Sequence, residues 1–212
     1  KVKNLVKNYG NFQAVKGINF DVQEGEIFGL LGPNGAGKST TLEIIETLRE
    51  KTSGEVWVNG FDLEKEPGEI KKIIGVQLQT SGYYPNLKLV ELITLFNGLY
   101  NKNVDPMSLL EMVNLKDKAN AKVKELSGGQ KQRFSVATTL INDPKIVFLD
   151  EPTTGLDPQA RRNLWDLVRS IRDKGTTVII TTHYMDEAEV LCDRVAIIDS
   201  GKIIAMETPD RL

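Results

Sequence analysis

The chain has 212 residues, 27 basic against 29 acidic side chains, 40% hydrophobic and 26% charged residues, one His and one Cys. That length fits one large domain, or one domain carrying a subdomain, and the composition excludes a disordered chain. No apolar run nears the roughly 20 residues of a membrane span, a net charge of −2 gives no global attraction to nucleic acid, and Cys192 with His183 alone builds neither a disulfide nor a zinc site.

Lys1 stands where a Met would begin a natural chain, so the natural start is expected to be missing or processed. Ile18-Asn19-Phe20-Asp21-Val22 alternates with period two, as a half-buried strand does. Glu26 to Leu31 is a short apolar run that reads as a buried strand. Helical periodicity takes over near Thr41, with Leu42, Ile45 and Leu48 expected on one apolar face. Glu55-Val56-Trp57-Val58 then runs into Asn59-Gly60, a tight-turn dipeptide that predicts a hairpin. Ile73 to Leu78 reads as another short strand. From Gln79 to Leu126 the strand signal nearly vanishes, and Leu89, Leu92, Ile93, Phe96, Leu109, Leu110 and Val113 recur at helical spacing, which predicts a helical insertion.

Strand–helix alternation then resumes. A helix over Gly129 to Leu140 precedes the strand Ile146 to Leu149, and a helix over Pro158 to Lys174 precedes the strand Thr177 to Thr181. Asp157 and Pro158 suit the start of the second helix and Gly175 its end. Val195 to Ile198 and Lys202 to Ala205 flank Ser200-Gly201, a terminal hairpin. Such alternation predicts a parallel sheet with helices on both faces.

Gly32-Pro33-Asn34-Gly35-Ala36-Gly37-Lys38-Ser39, followed by Thr40, fits G-x-x-x-x-G-K-[ST] between an apolar strand and a helix. Glycines let successive backbone N–H groups turn toward an anion, and the helix start adds its positive end. Lys38 is expected at the β- and γ-phosphates and Ser39 on Mg²⁺. Ile146-Val147-Phe148-Leu149 ends in Asp150 and Glu151, which fits Asp150 holding Mg²⁺ and Glu151 activating a water. Together these predict a nucleoside triphosphate site.

Leu126-Ser127-Gly128-Gly129-Gln130 contains a capping box, Ser127 with Gln130, which by itself says only that a helix begins. Capping does not need two successive glycines, which let a backbone close on a phosphate. The pentapeptide resembles the signature motif of ATP-binding cassette (ABC) ATPases, and that resemblance extends over essentially the whole chain. Tyr9 resembles the aromatic that stacks on adenine, with Val15 beneath it, a core or surface aromatic being the alternative. Gln79 in Gly75-Val76-Gln77-Leu78-Gln79 resembles the lid glutamine, which serves both catalysis and metal, with Gln77 as its competitor. Thr154-Gly155-Leu156-Asp157 is similar to the D-loop, and Thr182-His183 resembles the switch histidine that senses the γ-phosphate. Cys192 is expected to be inert packing.

The resemblance implies an α/β phosphate-loop NTPase fold: a parallel-sheet core with an N-terminal antiparallel β subdomain (1–78 and 127–212) and an inserted α-helical subdomain (79–126). It implies an ATPase that uses ATP and Mg²⁺. It also implies head-to-tail pairing with a second cassette, a copy or a paralogue, whose Ser127, Gly128, Gly129 and Gln130 would cap the γ-phosphate. A polytopic membrane permease is the further implied partner, received in a groove of the helical insertion, which would place the chain at the cytoplasmic face of the cell membrane. Tyr83 and Tyr84 are candidates to line that groove, internal packing being the alternative. Thr182-His183-Tyr184-Met185-Asp186-Glu187-Ala188 and Asp193-Arg194-Val195 are most similar to the drug, polysaccharide and lipid exporter branch. Two other functions stand beside transport: a cassette acting on ribosomes or DNA, and a GTPase suggested by Asn101-Lys102-Asn103-Val104-Asp105, whose Asp falls one position late for a guanine-reading motif.

Overall fold

The computed structural model describes residues 1–77 and 82–212. β1 (Val2–Tyr9) and β2 (Phe12–Phe20) pair antiparallel, and β4 (Ser53–Val58) takes the other edge of β1. β5 (Phe61–Asp62) follows β4 through Asn59-Gly60 with Asn59 at φ 50°, as a two-residue hairpin turn of this hand requires. The sheet order is β2-β1-β4-β5, which is the antiparallel β layer expected from the sequence.

The second sheet has six strands in the order β10-β9-β3-β8-β7-β6. Its centre is β3 (Ile27–Leu31) beside β8 (Thr177–Thr182), both buried along their whole length. β7 (Ile146–Asp150), β6 (Ile74–Gln77) and β9 (Arg194–Asp199) extend it in parallel, and β10 (Lys202–Glu207) closes one edge antiparallel to β9.

Strand side chains alternate between faces, so a strand covered on both sides reads as an unbroken apolar run. Here Phe28, Leu30, Phe148 and Ile179 pack on one face with Leu42, Ile44 and Ile45 of α1 (Lys38–Ile45). Ile27, Leu31, Val147, Leu149, Val178 and Ile180 pack on the other with α5 (Gly128–Thr139), α6 (Pro158–Asp173) and α7 (Met185–Leu191). Leu164, Leu167, Val168 and Ile171 are the buried stripe of α6. α2 (Pro67–Ile73) leads into β6.

Residues 82–126 carry α3 (Leu89–Tyr100) and α4 (Pro106–Met112), and their only strand-like feature among the described residues is an isolated bridge between Lys88 and Lys122. Leu89, Leu92, Ile93, Leu109 and Leu110 join the cluster beneath α5 and α6. Asp105 caps α4 through Ser108 N at 2.9 Å, and Asn101 ends α3 at φ 53°, so the segment that hinted at guanine recognition is helix punctuation.

One sequence expectation fails here. α1 ends at Ile45, Thr47 sits at φ 64°, and Leu48 is 56% exposed instead of sharing the helix's apolar face. A single left-handed residue ends the helical register, so periodicity read through it points the next side chain the wrong way. Among the described residues, no helix is long and apolar enough to cross a membrane.

Candidate functional site

The site sits where β3, β7 and β8 end, the edge at which parallel α/β sheets hold ligands. The loop after β3 is pinned by Gly32 N donating to Thr182 O at 3.2 Å. A Cβ on Gly32 would stand 2.0 Å from Ile198 O, so only glycine fits. Gly37 caps α1 at φ 104°, a conformation open to glycine alone at little cost. Lys38, the first residue of α1, is 4% exposed. Its Nζ donates to Gly32 O at 2.8 Å and Pro33 O at 3.1 Å, and lies 3.3 Å from Glu151 Oε1. Gly35, Gly37, Lys38, Ser39, Thr40 and Glu151 line a cavity of about 390 Å³, with Tyr9 and Phe12 also on its wall.

The acidic pair ends β7. Asp150 Oδ1 accepts from Ser39 Oγ at 3.1 Å and from Thr181 Oγ1. Thr181 lies directly opposite Asp150 in the β7–β8 register, and its hydroxyl also accepts from Glu151 N at 2.9 Å. Glu151 adopts φ 45°, a left-handed conformation costing about 1 kcal/mol or more in a residue with a side chain. The turn holds it there: Thr154 Oγ1 donates to Glu151 Oε2 at 3.3 Å, and His183 Nδ1 lies 3.3 Å from the same oxygen, off the line of a hydrogen bond. Thus Lys38 addresses one carboxylate oxygen of Glu151, and Thr154 and His183 the other.

Behind the loop helix, Glu46 is 3% exposed. Burial pushes its carboxyl up to about 8, and the negative charges of Asp150 and Glu43 add to the shift.

The other sequence candidates fall in three groups. Tyr9 is 41% exposed, with Lys7 Nζ 5.2 Å and Arg49 Cζ 5.3 Å from its ring centroid. Asn34 lines the same cavity, Ala36 is buried in the loop, and Val15 is buried in the core, 1% exposed, where it packs with Leu42 and Ile44 in place of offering a face to the cavity. The signature residues lie apart. Ser127, Gly129 and Gln130 line a second cavity of about 200 Å³ with Arg133 and Asp157, and among the described residues the two cavities share no wall. The capping box is present, Gln130 N donating to Ser127 Oγ at 3.3 Å and Ser127 N to Gln130 Oε1 at 2.9 Å, with Gly128 opening α5. Asp157 caps α6 by accepting from Ala160 N at 2.8 Å.

Gln79 lies outside the described residues; Gln77 is buried at the end of β6. The two tyrosines divide: Tyr83 packs inward, its ring 5.4 Å from that of Phe134 and 6.5 Å from that of Phe96, whereas Tyr84 is 66% exposed. Cys192 is buried, and burial raises its thiol. Sequence reading missed Phe12 and Thr181. Phe12 could have been found as the cross-strand neighbour of Tyr9, and Thr181 as the β8 residue level with Asp150.

The family model described as ABC transporter matches residues 15–154. The chain belongs to the ABC transporter family. It is 44% identical over 219 residues to the probable multidrug ABC transporter ATP-binding protein YbhF of Escherichia coli K12, aligning over 100% of this chain but only 37% of that protein. It is 41% identical to a Nod factor export ATP-binding protein I of Burkholderia orbicola, over 99% of this chain and 71% of the relative. It is 40% identical to the linearmycin resistance ATP-binding protein LnrL of Bacillus subtilis, over 98% and 68%. An ATP-binding cassette solved as a dimer in a post-hydrolysis state with ADP and Pi superposes with a TM-score of 0.86 at 30% identity, covering 98% of this chain and 97% of that one. The two-sheet ABC ATPase fold and the exporter resemblance expected from the sequence are both borne out.

Proposed function

We propose that this ABC cassette binds and hydrolyses ATP to drive export through a separate membrane permease, as one of two cassettes paired head to tail at the cytoplasmic face of the membrane. The observation that carries the reading is the convergence of Lys38, Ser39 and Glu151 on one cavity at the ends of β3, β7 and β8, with Asp150 bonded to Ser39 and His183 beside Glu151. Residues 1–78 and 127–212 form the core with its β layer, and 79–126 the helical subdomain that meets the permease, with exposed Tyr84 on its docking face.

The loop N–H groups and Lys38 hold the phosphates, and Tyr9 holds the adenine. Glu151 orients a water and takes its proton as the water attacks the γ-phosphorus. His183 and Thr154 fix the carboxylate that does so. Mg²⁺ fits the donor set: a hydroxyl and a carboxylate 3.1 Å apart, Ser39 and Asp150, and among the described residues no group of three or more His, Cys, Asp or Glu that would make a protein-only cage. That is how Mg²⁺ is usually held, by one or two carboxylates plus substrate phosphates. Bound there with Gln79, it would neutralise charge on the phosphate oxygens. The signature cavity stands apart from the phosphate loop, so a second cassette's Ser127 to Gln130 would complete the site with a helix start.

The test is ATP turnover by the purified protein with and without Mg²⁺, followed by isolation of the native complex. The reading requires Mg²⁺-dependent phosphate release and a polytopic membrane protein in the complex. Turnover without Mg²⁺, or a complex of soluble proteins alone, would overturn it.

A further inference from the structure

His183 sits beside Glu151 and also packs against Tyr184. The centroid of the Tyr184 ring lies 4.0 Å from that of His183 at an interplanar angle of 40°, closer than the usual 4.5–7 Å of aromatic pairs. The Arg161 guanidinium also packs on this phenol, with Cζ 4.6 Å from the ring centroid. Arg161 Nε is buried and has no hydrogen-bond partner among the described residues, as expected of a guanidinium laid on a ring rather than aimed at acceptors. Among the described residues, its one ion pair runs from Nη1 to Asp186 Oδ2 at 3.2 Å, and that aspartate side chain is 62% exposed, so the pair contributes little by itself.

Arg161 stands one turn into α6, its N–H donating to Asp157 O at 2.9 Å. One turn further along the same helix face, Trp165 Nε1 donates to Glu187 Oε1 at 2.9 Å, and Glu187 is fully buried. α6 therefore grips the segment after β8 at two points. Tyr184 N in turn donates to Thr182 Oγ1 at 3.0 Å, which fixes the turn that carries His183.

We propose that Arg161 and Tyr184 are positioning residues: the stacked guanidinium and phenol set the His183 imidazole against Glu151, so that the start of α6, where Asp157 sits, governs the placement of the base. This rests on the reading above that His183 and Glu151 serve hydrolysis. A misplacement of an ångström at a reacting group can cost about a hundredfold in rate, so loosening the stack is expected to lower kcat at least about tenfold with KM for ATP nearly unchanged.

The test uses the full-length protein with Arg161→Ala, Arg161→Lys, Tyr184→Leu, Tyr184→Phe and His183→Gln. Steady-state ATPase kinetics are read beside the NMR signal of the His183 ring, assigned by its loss in His183→Gln. Arg161→Lys keeps a cation for Asp186 but not a flat guanidinium, so it serves if Arg161→Ala fails to fold. The expected result is a kcat loss in Arg161→Ala, Arg161→Lys and Tyr184→Leu, with KM within about twofold and a displaced His183 signal; Tyr184→Phe restores much of both. Wild-type kcat in the Arg161 variants alongside a loss in His183→Gln sinks the clamp alone. A kcat loss with the His183 signal unmoved also sinks it, because the effect would then be structural. Wild-type turnover in His183→Gln sinks the underlying reading of His183 and the clamp with it.

Discussion

Glu151→Gln separates phosphate binding from hydrolysis. The amide keeps the shape of the carboxylate but loses both its basicity and its charge opposite Lys38. General-base assistance contributes about 10² to 10⁴ in rate, so kcat should fall by that factor, about 3–5 kcal/mol in activation free energy. Binding should move the other way or not at all. Lys38 Nζ lies 3.3 Å from Glu151 Oε1, both side chains nearly buried. At an effective dielectric of about 20 such a pair attracts by about 5 kcal/mol, of which desolvation cancels most. Entering phosphate oxygens compete for that ammonium, and with Gln they compete against a neutral amide, so ATP affinity should hold or rise by up to about tenfold. Phosphate release at saturating Mg·ATP, equilibrium ATP binding and sizing with and without ATP give the three readouts, with an ATP-stabilised dimer expected in the variant. Turnover within about threefold of wild type would show that Glu151 is not the base. Loss of ATP binding would instead make it part of the cradle and refute the division of labour.

Glu46→Gln should change how stability depends on pH. The carboxyl rises from 4.5 unfolded to about 8 folded, so the folded chain binds the extra proton; its contribution is complete below about pH 4.5 and is lost as pH climbs through about 8. Denaturant unfolding across that window should show wild type falling by up to a few kcal/mol relative to the variant, and parallel pH profiles would refute it. Tyr9→Ala should weaken ATP binding about tenfold, in line with roughly 1–3 kcal/mol for base–aromatic stacking, and Phe12→Ala, on the same cavity wall, by a smaller factor; unchanged fluorescent-nucleotide titrations of both would remove the aromatic wall from the nucleobase. Ser127→Ala removes the α5 cap at a cost of about 1 kcal/mol and should lower kcat while leaving ATP affinity of a single chain unaltered, because Ser127 lines a different cavity; a matching loss of affinity would place Ser127 in the binding cradle of its own chain.

The parts legible in the sequence were those whose chemistry is local. The phosphate loop, the acid-ended strand, the capping box at Ser127 and the Asp157 cap each occupy consecutive residues, and the backbone that makes them is dictated within a turn or two. The Asn59-Gly60 and Ser200-Gly201 turns are of the same kind. What escaped depends on strand register and side-chain packing between distant segments. Thr181 meets Asp150 only because β7 and β8 pair at that level, and Phe12 faces Tyr9 only through the β1–β2 register. Arg161 reads as a helix-surface cation until the turn before α7 brings the Tyr184 ring against it. Periodicity also misplaced Leu48, because nothing in an apolar spacing announces that Thr47 will turn left-handed.

The Lys38–Glu151 contact yields a prediction about folding that is independent of nucleotide. Two nearly buried, opposite charges at 3.3 Å satisfy one another, and removing one partner leaves the other uncompensated, which costs about 3–5 kcal/mol in buried pairs. Lys38→Ala strands Glu151 in a turn already held at φ 45°, with a neutral hydroxyl from Thr154 and the His183 ring as its remaining company. Glu151→Gln strands the ammonium less completely, since Gly32 O and Pro33 O still accept from Lys38 Nζ. The single variants should therefore be unequal, Lys38→Ala losing more stability than Glu151→Gln. The double variant should be more stable than the sum of the two losses predicts, by at least about 1 kcal/mol of coupling. Denaturant unfolding of the four proteins without nucleotide measures this directly. Additive losses would mean that solvent already screens the pair, and the carboxylate would then need no cation to stay folded in its turn.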